Sequence, residues 1–226
     1  LDWVTYLSPS GGGARLGALE DGDVHGCPVT DDLAALLDAG HEAMAEAHAR
    51  AVDEPVEIIF EPEARLCAPL VPADPVAARF GDTVSALAPD LVRGVDDGVV
   101  TGARRARIGL AAVAGAAGPT AAYTMACLWL GVQGEPLQLT LGPDLVTRDG
   151  IVGGDGARVR EFSAFVDERR VGHGDVDPED VWFTAAGSGR VRALLCLETE
   201  LLEPDDEVEV RAGTLGGFEL RLGSLV

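Results

Sequence analysis

The stretch "TAAYTMACLWLG", Thr120 to Gly131, is almost unbroken in its apolar character and sets the strongest constraint on the fold. Twelve residues of this kind read as core, within a strand that the rest of the chain must cover. A small polar island, Thr124 and Cys127, lies among Tyr123, Met125, Leu128 and Trp129. "ARRARIGLAAVAG", just upstream, alternates at its start. Arg105, Arg107, Gly109 and Ala111 fall on one face, and Ala106, Ile108 and Leu110 on the other.

The remainder reads as an α+β, strand-rich chain. "WVTYL" and "ARLGALE" are strands joined by the turn "SPSGGG", and "VHGCP" is a third. Thr30, Asp31 and Asp32 form a helix start, placing an N-cap and negative charge at the positive end of the dipole. The helix continues through "LAALLDAGHEAMAEAHARA", interrupted at Gly40. His41 and His48 are read as solvated positions on it. "VPADPVAARFGD" has the proline content of a linker, so a boundary is expected near residue 75, between a small α/β domain (1–75) and a strand-rich domain (76–226). "AYTMACLWL", "LQLTLG" and "DLVTR" are strands, and "RVREFSAFVDERRV" is a hairpin turning at Asp167–Glu168. "PEDVWFTAAG" is a short helix begun by Asp177 and Pro178. "GIVGGDGARV" reads as a hairpin loop and not a phosphate cradle, because it precedes a strand.

Composition removes several function classes. The 226 residues carry a net charge of −21, with acids in excess in both halves, so no basic face is available for a phosphate backbone. All 17 basic residues are arginine. Without lysine there is no Schiff base, no lysine general base and no P-loop lysine. Apolar residues make up 47%, the mix of a soluble globular domain, and no run approaches the ~18 residues that span a bilayer. A cytoplasmic location is therefore expected. The four cysteines, Cys27, Cys67, Cys127 and Cys196, contain no C-x-x-C pair and read as reduced, small hydrophobes. "AAGSGR" lacks nucleophile-elbow spacing, and the four histidines include no H-E-x-x-H.

Three segments, "FGDTVSAL", "LGPDLVTRDG" and "LLEPDDEVEVRAGTLGGFELRL", resemble in that order characteristic segments of the fumarylacetoacetate hydrolase superfamily. "RLGALEDGDVHGCP", the helix and "ARLCAPLVP" are similar to the small N-terminal domain of many members. The resemblance implies a mixed β-roll, commonly dimeric. It also implies Mg²⁺- or Mn²⁺-dependent work on 1,3-dicarbonyl or 2-oxo acid substrates, with three carboxylates holding the ion.

At the matching positions this chain departs from the pattern. The two glutamates of the family's E-x-E strand become Arg107 and Gly109, and the Asn-Asp pair becomes Cys127-Leu128. The active-site lysine has no counterpart, with Glu135 or Pro136 nearest. The catalytic-loop segment is missing between Pro72 and Phe80, and "CLETE" stands in place of the G-T-P-A-G turn. The expectation is therefore a metal-independent protein with no cofactor, acting on a carbonyl-bearing, rather apolar small molecule as a homodimer, without nucleic acid or membrane partners.

Candidate catalytic residues are Arg107, Tyr123 and Cys127, with His25 or His173 as further proton carriers. Arg105, Leu128, Trp129, Glu135 and Arg148 are candidate substrate contacts. Arg107 holds either a substrate anion or one of the chain's many acids, and Cys127 is either a proton donor or a buried hydrophobe. Two functional readings stand: a repurposed enzyme of lyase, isomerase, cyclase or C–C hydrolase type, or an inactive relative acting as a binding partner. A pocket between the two apolar strands with an arginine pointing in supports the first. The same space filled by Trp129, Leu128 and Met125 supports the second.

Overall fold

The computed structural model describes residues 1–28, 32–116, 118–152, 160–184 and 190–223. The chain opens with β1 (Asp2–Leu7), β2 (Ala14–Glu20) and β3 (Asp23–Gly26), then α1 (Leu33–Ala39) and α2 (His41–Asp53). Short strands β4 (Ile58–Phe60) and β5 (Arg65–Leu66) precede β6 (Val76–Phe80), β7 (Thr83–Leu87) and β8 (Val92–Arg93). The long pair β9 (Arg105–Ala114) and β10 (Thr120–Leu130) is followed by β11 (Pro136–Leu141), β12 (Leu145–Thr147) and α3 (Arg148–Val152). Then come β13 (Arg160–Val166), β14 (Arg169–Val176), α4 (Val181–Thr184), β15 (Val191–Glu198), β16 (Glu207–Arg211) and β17 (Gly217–Arg221). No helix among the described residues is long and apolar enough to cross a membrane.

Among the described residues the strands form a 13-stranded sheet, with main order β4-β3-β2-β1-β12-β10-β9-β15-β6-β7, and a four-stranded sheet, β14-β13-β16-β17. The β9–β10 pair runs through the middle and is buried on both faces, as its unbroken apolar sequence requires. One face packs Ile108, Leu110, Met125 and Trp129 with Phe162, Ala164, Val208 and Val210 of the smaller sheet. The other packs Ala111, Val113, Ala126 and Leu128 with Leu36, Leu37 and Met44 of the helices, and with Val76, Leu87 and Leu139.

The expected helix start is present at Asp32, whose carboxylate accepts from the Ala35 N–H at 2.8 Å; Thr30 and Asp31 lie outside the described residues. The two helices meet at Gly40, whose φ of +94° is a conformation that only glycine adopts without strain. The β13–β14 hairpin turns at Asp167 (φ +45°) and Glu168 (φ +65°), the left-handed pair that a two-residue turn needs. Most of "GIVGGDGARV" and of "AAGSGR" lies outside the described residues.

Two expectations are corrected. Residues 76–80 are not a linker: β6 pairs in parallel with β15 and forms a hairpin with β7. Strands from either side of residue 75 share the main sheet, β1 pairing with β12 through Asp2–Val146 and Trp3–Leu145. His48 is buried as well, set edge-on to Trp3 at a 5.5 Å centroid distance, whereas His41 is exposed. His48 follows Met44 by one helical turn and therefore faces the sheet with Met44, Ala47 and Ala51.

Candidate functional site

Strand register decides which candidate residues can meet. In the β9–β10 ladder Leu128 is opposite Arg107, Cys127 opposite Ile108, and Tyr123 opposite Ala112. Directly opposed residues project to the same face and alternate residues to opposite faces. Arg105, Arg107 and Leu128 therefore share one face, while Tyr123, Cys127 and Trp129 share the other. The two halves of the candidate catalytic set stand back to back across the sheet.

On the first face the three positions that the resemblance assigns to carboxylate ligands do converge: 107 and 109 on β9, and 128 on β10. Their occupants form a packed surface. Arg107 is held by Glu198, through a short contact from its Nε, and its guanidinium carbon lies 4.5 Å from the centre of the Phe80 ring. Arg105 Nη1 also reaches Glu198, at 3.7 Å. A Cβ on Gly109 would come within 2.1 Å of the Leu194 carbonyl oxygen and 2.7 Å of the Leu195 Cα. This approach accompanies a register shift between Leu195 and Leu197 in the β15–β9 ladder. Leu128 is 1% exposed. A hard divalent ion needs several oxygen donors. A cation already paired with an acid, a glycine with no room for a side chain and a buried leucine do not fit one.

On the second face the side chains serve the core. Burial pushes the Cys127 thiol far above the usual range. Trp129 Nε1 donates to Thr140 Oγ1 at 2.9 Å, and Gln138 Nε2 donates to the same hydroxyl at 3.2 Å. The other member of the polar island, Thr124, opposes Ala111 on the first face and is also buried. Glu135 is in the exposed β10–β11 turn, where it accepts from the Gln133 N–H at 3.0 Å, whereas Arg148 follows Thr147, which pairs with Ala122 at the other end of β10. His25, opposite Ala18 on β3, is several strands away from the β9–β10 ladder, while His173, opposite Ser163, is on β14 of the smaller sheet, whose flanking Gly172 and Gly174 lie against Leu197 and Cys196 of β15.

Two of the candidates do come together, at the start of β10. Tyr123 donates its hydroxyl proton to the Pro178 carbonyl at 2.7 Å. Burial raises its pKa, and the neighbouring Arg148 opposes that rise. Arg148, the first residue of α3, pairs with Glu179 at 3.0 Å and lines a cleft of about 620 Å³ between the α1–α2 elbow and β10, β12 and α3. Leu37, Met44, Ala121 and Val152 give the cleft apolar walls, and Thr120, Thr147, His41 and Asp149 give it polar groups. His41 Nδ1 is 3.9 Å from Asp149 Oδ1. A hydrogen bond involving Thr147 is the main cause that lowers the Asp149 pKa, and burial works against it. The helix elbow was not legible as a site: His41 has no partner nearby in sequence, and Asp149 is 108 residues downstream.

No family model and no curated protein matches this sequence. Solved structures do. A fumarylacetoacetate hydrolase from psychrophilic Exiguobacterium antarcticum superposes with a TM-score of 0.77 at 17% identity, covering 98% of each chain. The maleylpyruvate hydrolase of Sphingobium sp. SYK-6, in complex with manganese(II) and pyruvate, gives 0.73 at 12% identity, again over 98% of each chain. A 2-hydroxyhepta-2,4-diene-1,7-dioate isomerase from Mycobacterium marinum gives 0.67 at 13%, covering 98% of this chain and 97% of that one. The chain thus shares the fold of these enzymes over nearly its whole length, and at these identities the likeness speaks for the fold alone.

Proposed function

We propose that this chain is a metal-independent enzyme of lyase, isomerase, cyclase or C–C hydrolase type, acting on a small, rather apolar, enolisable carbonyl compound of oxo-acid or polyketide-like character. Its working site in this reading is the cleft at the helix elbow, with the β9–β10 face serving as core. The carrying observation is the cleft itself, where Arg148, His41 and Asp149 meet apolar walls large enough for a small metabolite. Arg148 donates to the carbonyl oxygen and steadies the enolate that forms as a C–H proton leaves. His41, beside Asp149, takes that proton and returns it to the same or another carbon, so protons balance without an added reagent. The hydrolase and isomerase neighbours of this fold support the general class. The homodimer implied by the resemblance belongs to the same reading and is checked by sedimentation.

The test is solvent deuterium exchange into short-chain 2-oxo and 3-oxo acids with apolar tails, followed by NMR. The expected result is exchange above the uncatalysed rate, unchanged by EDTA and lost in Arg148→Ala. Exchange abolished by EDTA and restored by Mn²⁺ overturns metal independence. A second reading, a catalytically inactive binding partner, is favoured by the closed packing of Gly109 and Leu128. Ligand binding in the cleft without any exchange decides for it.

A further inference from the structure

We propose that β4 is the docking edge for a basic, strand-forming segment of a different protein. This inference is independent of the cleft. β4 is the outermost strand at one end of the 13-stranded sheet. Ile58 and Phe60, each 58% exposed, oppose His25 and Asp23 and so point to the same face, while Ile59 between them turns into the core. Val56, also 58% exposed, extends the apolar stripe where its N–H bonds the Gly26 carbonyl at 3.0 Å. An outermost strand with large apolar side chains on it is a template for a further strand, which proteins usually blunt with lysine. Here there is no lysine anywhere in the chain.

Charge identifies the occupant. Asp53 and Glu54 precede the stripe and Glu61 and Glu63 follow it, and the stretch from 53 to 64 has no basic residue. The β2–β3 turn adds Glu20, Asp21 and Asp23 at the Phe60 end, where the Glu61 N–H donates to the Gly22 carbonyl at 3.0 Å. A second copy would bring the same acids against these, on a chain whose net charge is already −21. A segment alternating cationic and apolar residues matches both the apolar stripe and its acidic rim.

The experiment uses the full chain and two blocked heptapeptides, one alternating lysine with valine and the other glutamate with valine. The lysine peptide is expected to bind, to lose about tenfold or more in affinity between low and high salt, and to protect the Ile58 and Phe60 amides from exchange. The glutamate peptide is expected not to bind. Ile58→Ser/Phe60→Ser, exposed positions whose change leaves the unfolding midpoint in place, is expected to weaken the lysine peptide at least tenfold. Equal binding of both peptides, binding of neither, or an undiminished affinity in the double variant overturns the proposal. So does concentration-dependent dimerisation that the double variant abolishes, because the occupant is then a second copy.

Discussion

Leu128 and Arg107 face each other directly across the β9–β10 ladder. The pairing brings together two positions where the resemblance expects oxygen ligands, and it fills them with a buried aliphatic group and a cation committed to Glu198. The register brings the two positions together, and neither occupant offers an oxygen donor.

Restoring one carboxylate is therefore costly. Leu128→Asp buries an ionisable group at a fully packed position and is expected to destabilise the chain by about 3 kcal/mol or more, read from the urea midpoint. Millimolar Mn²⁺ is expected to leave that midpoint unchanged. A metal-dependent recovery would revive the ion-binding reading.

Gly109→Ala places a methyl group against the Leu194 carbonyl and is expected to cost about 2 kcal/mol or more. Gly172→Ala is the control, because its Cβ would meet only Leu197 side-chain and backbone-attached carbons at 3.6 Å and beyond. A midpoint shift that is equal in the two variants contradicts the tight approach of β15 to β9.

Asp144 gives a pH signature. Its carboxyl is buried, one oxygen has no hydrogen-bond partner among the described residues, and burial followed by the charge of Asp2 pushes its pKa up to about 7. The folded state then holds a proton that the unfolded chain has released above about pH 4. Stability from this group is complete below pH 4 and declines as pH rises toward 7, by about 1.4 kcal/mol for each unit. Asp144→Asn is expected to remove this decline. Unfolding curves of both proteins from pH 4 to 8 that run parallel would refute it.

The thiols separate by burial. Cys127 is fully buried, and Cys196 is pushed up to about 12 by burial, so neither presents a thiolate at neutral pH. Labelling with a disulfide reagent is expected to reach Cys127 only through unfolding, at a rate that rises with denaturant. Rapid labelling of Cys127 in the native protein would contradict its core position.

Arg148→Ala is expected to weaken cleft ligands at least tenfold, by loss of a charge-assisted hydrogen bond worth about 1.5–3 kcal/mol. Arg105→Ala, at the opposite end of the β9–β10 ladder from the cleft, is expected to leave that affinity unchanged. Calorimetric titration of both variants with the same oxo acid makes the comparison.

Much of this was legible in the chain because local physics dictated it. The alternation of Arg105, Arg107 and Gly109 against Ile108 and Leu110, the Asp32 cap and the Asp167–Glu168 turn all depend on neighbouring residues. What escaped depends on distant contacts. "VAARF" has small residues and a proline-rich approach, and besides its hairpin with β7 it depends on pairing with β15, over a hundred residues later. Tyr123 and Cys127 looked like partners of Arg107 because all three lie on adjacent strands. Only the register, a pairing between chains of residues rather than a property of either, shows that they face apart. The cleft draws on α1, α2, β10, β12 and α3, and no single stretch announces it.

The backbone contact at Gly109 has an evolutionary consequence. An acid introduced at 107 alone meets Glu198, one at 128 alone is stranded in the core, and one at 109 has no volume to occupy until β15 shifts its bulge. In the metal-independent reading we propose, carboxylates at all three positions would require β15 to move as well as the substitutions themselves.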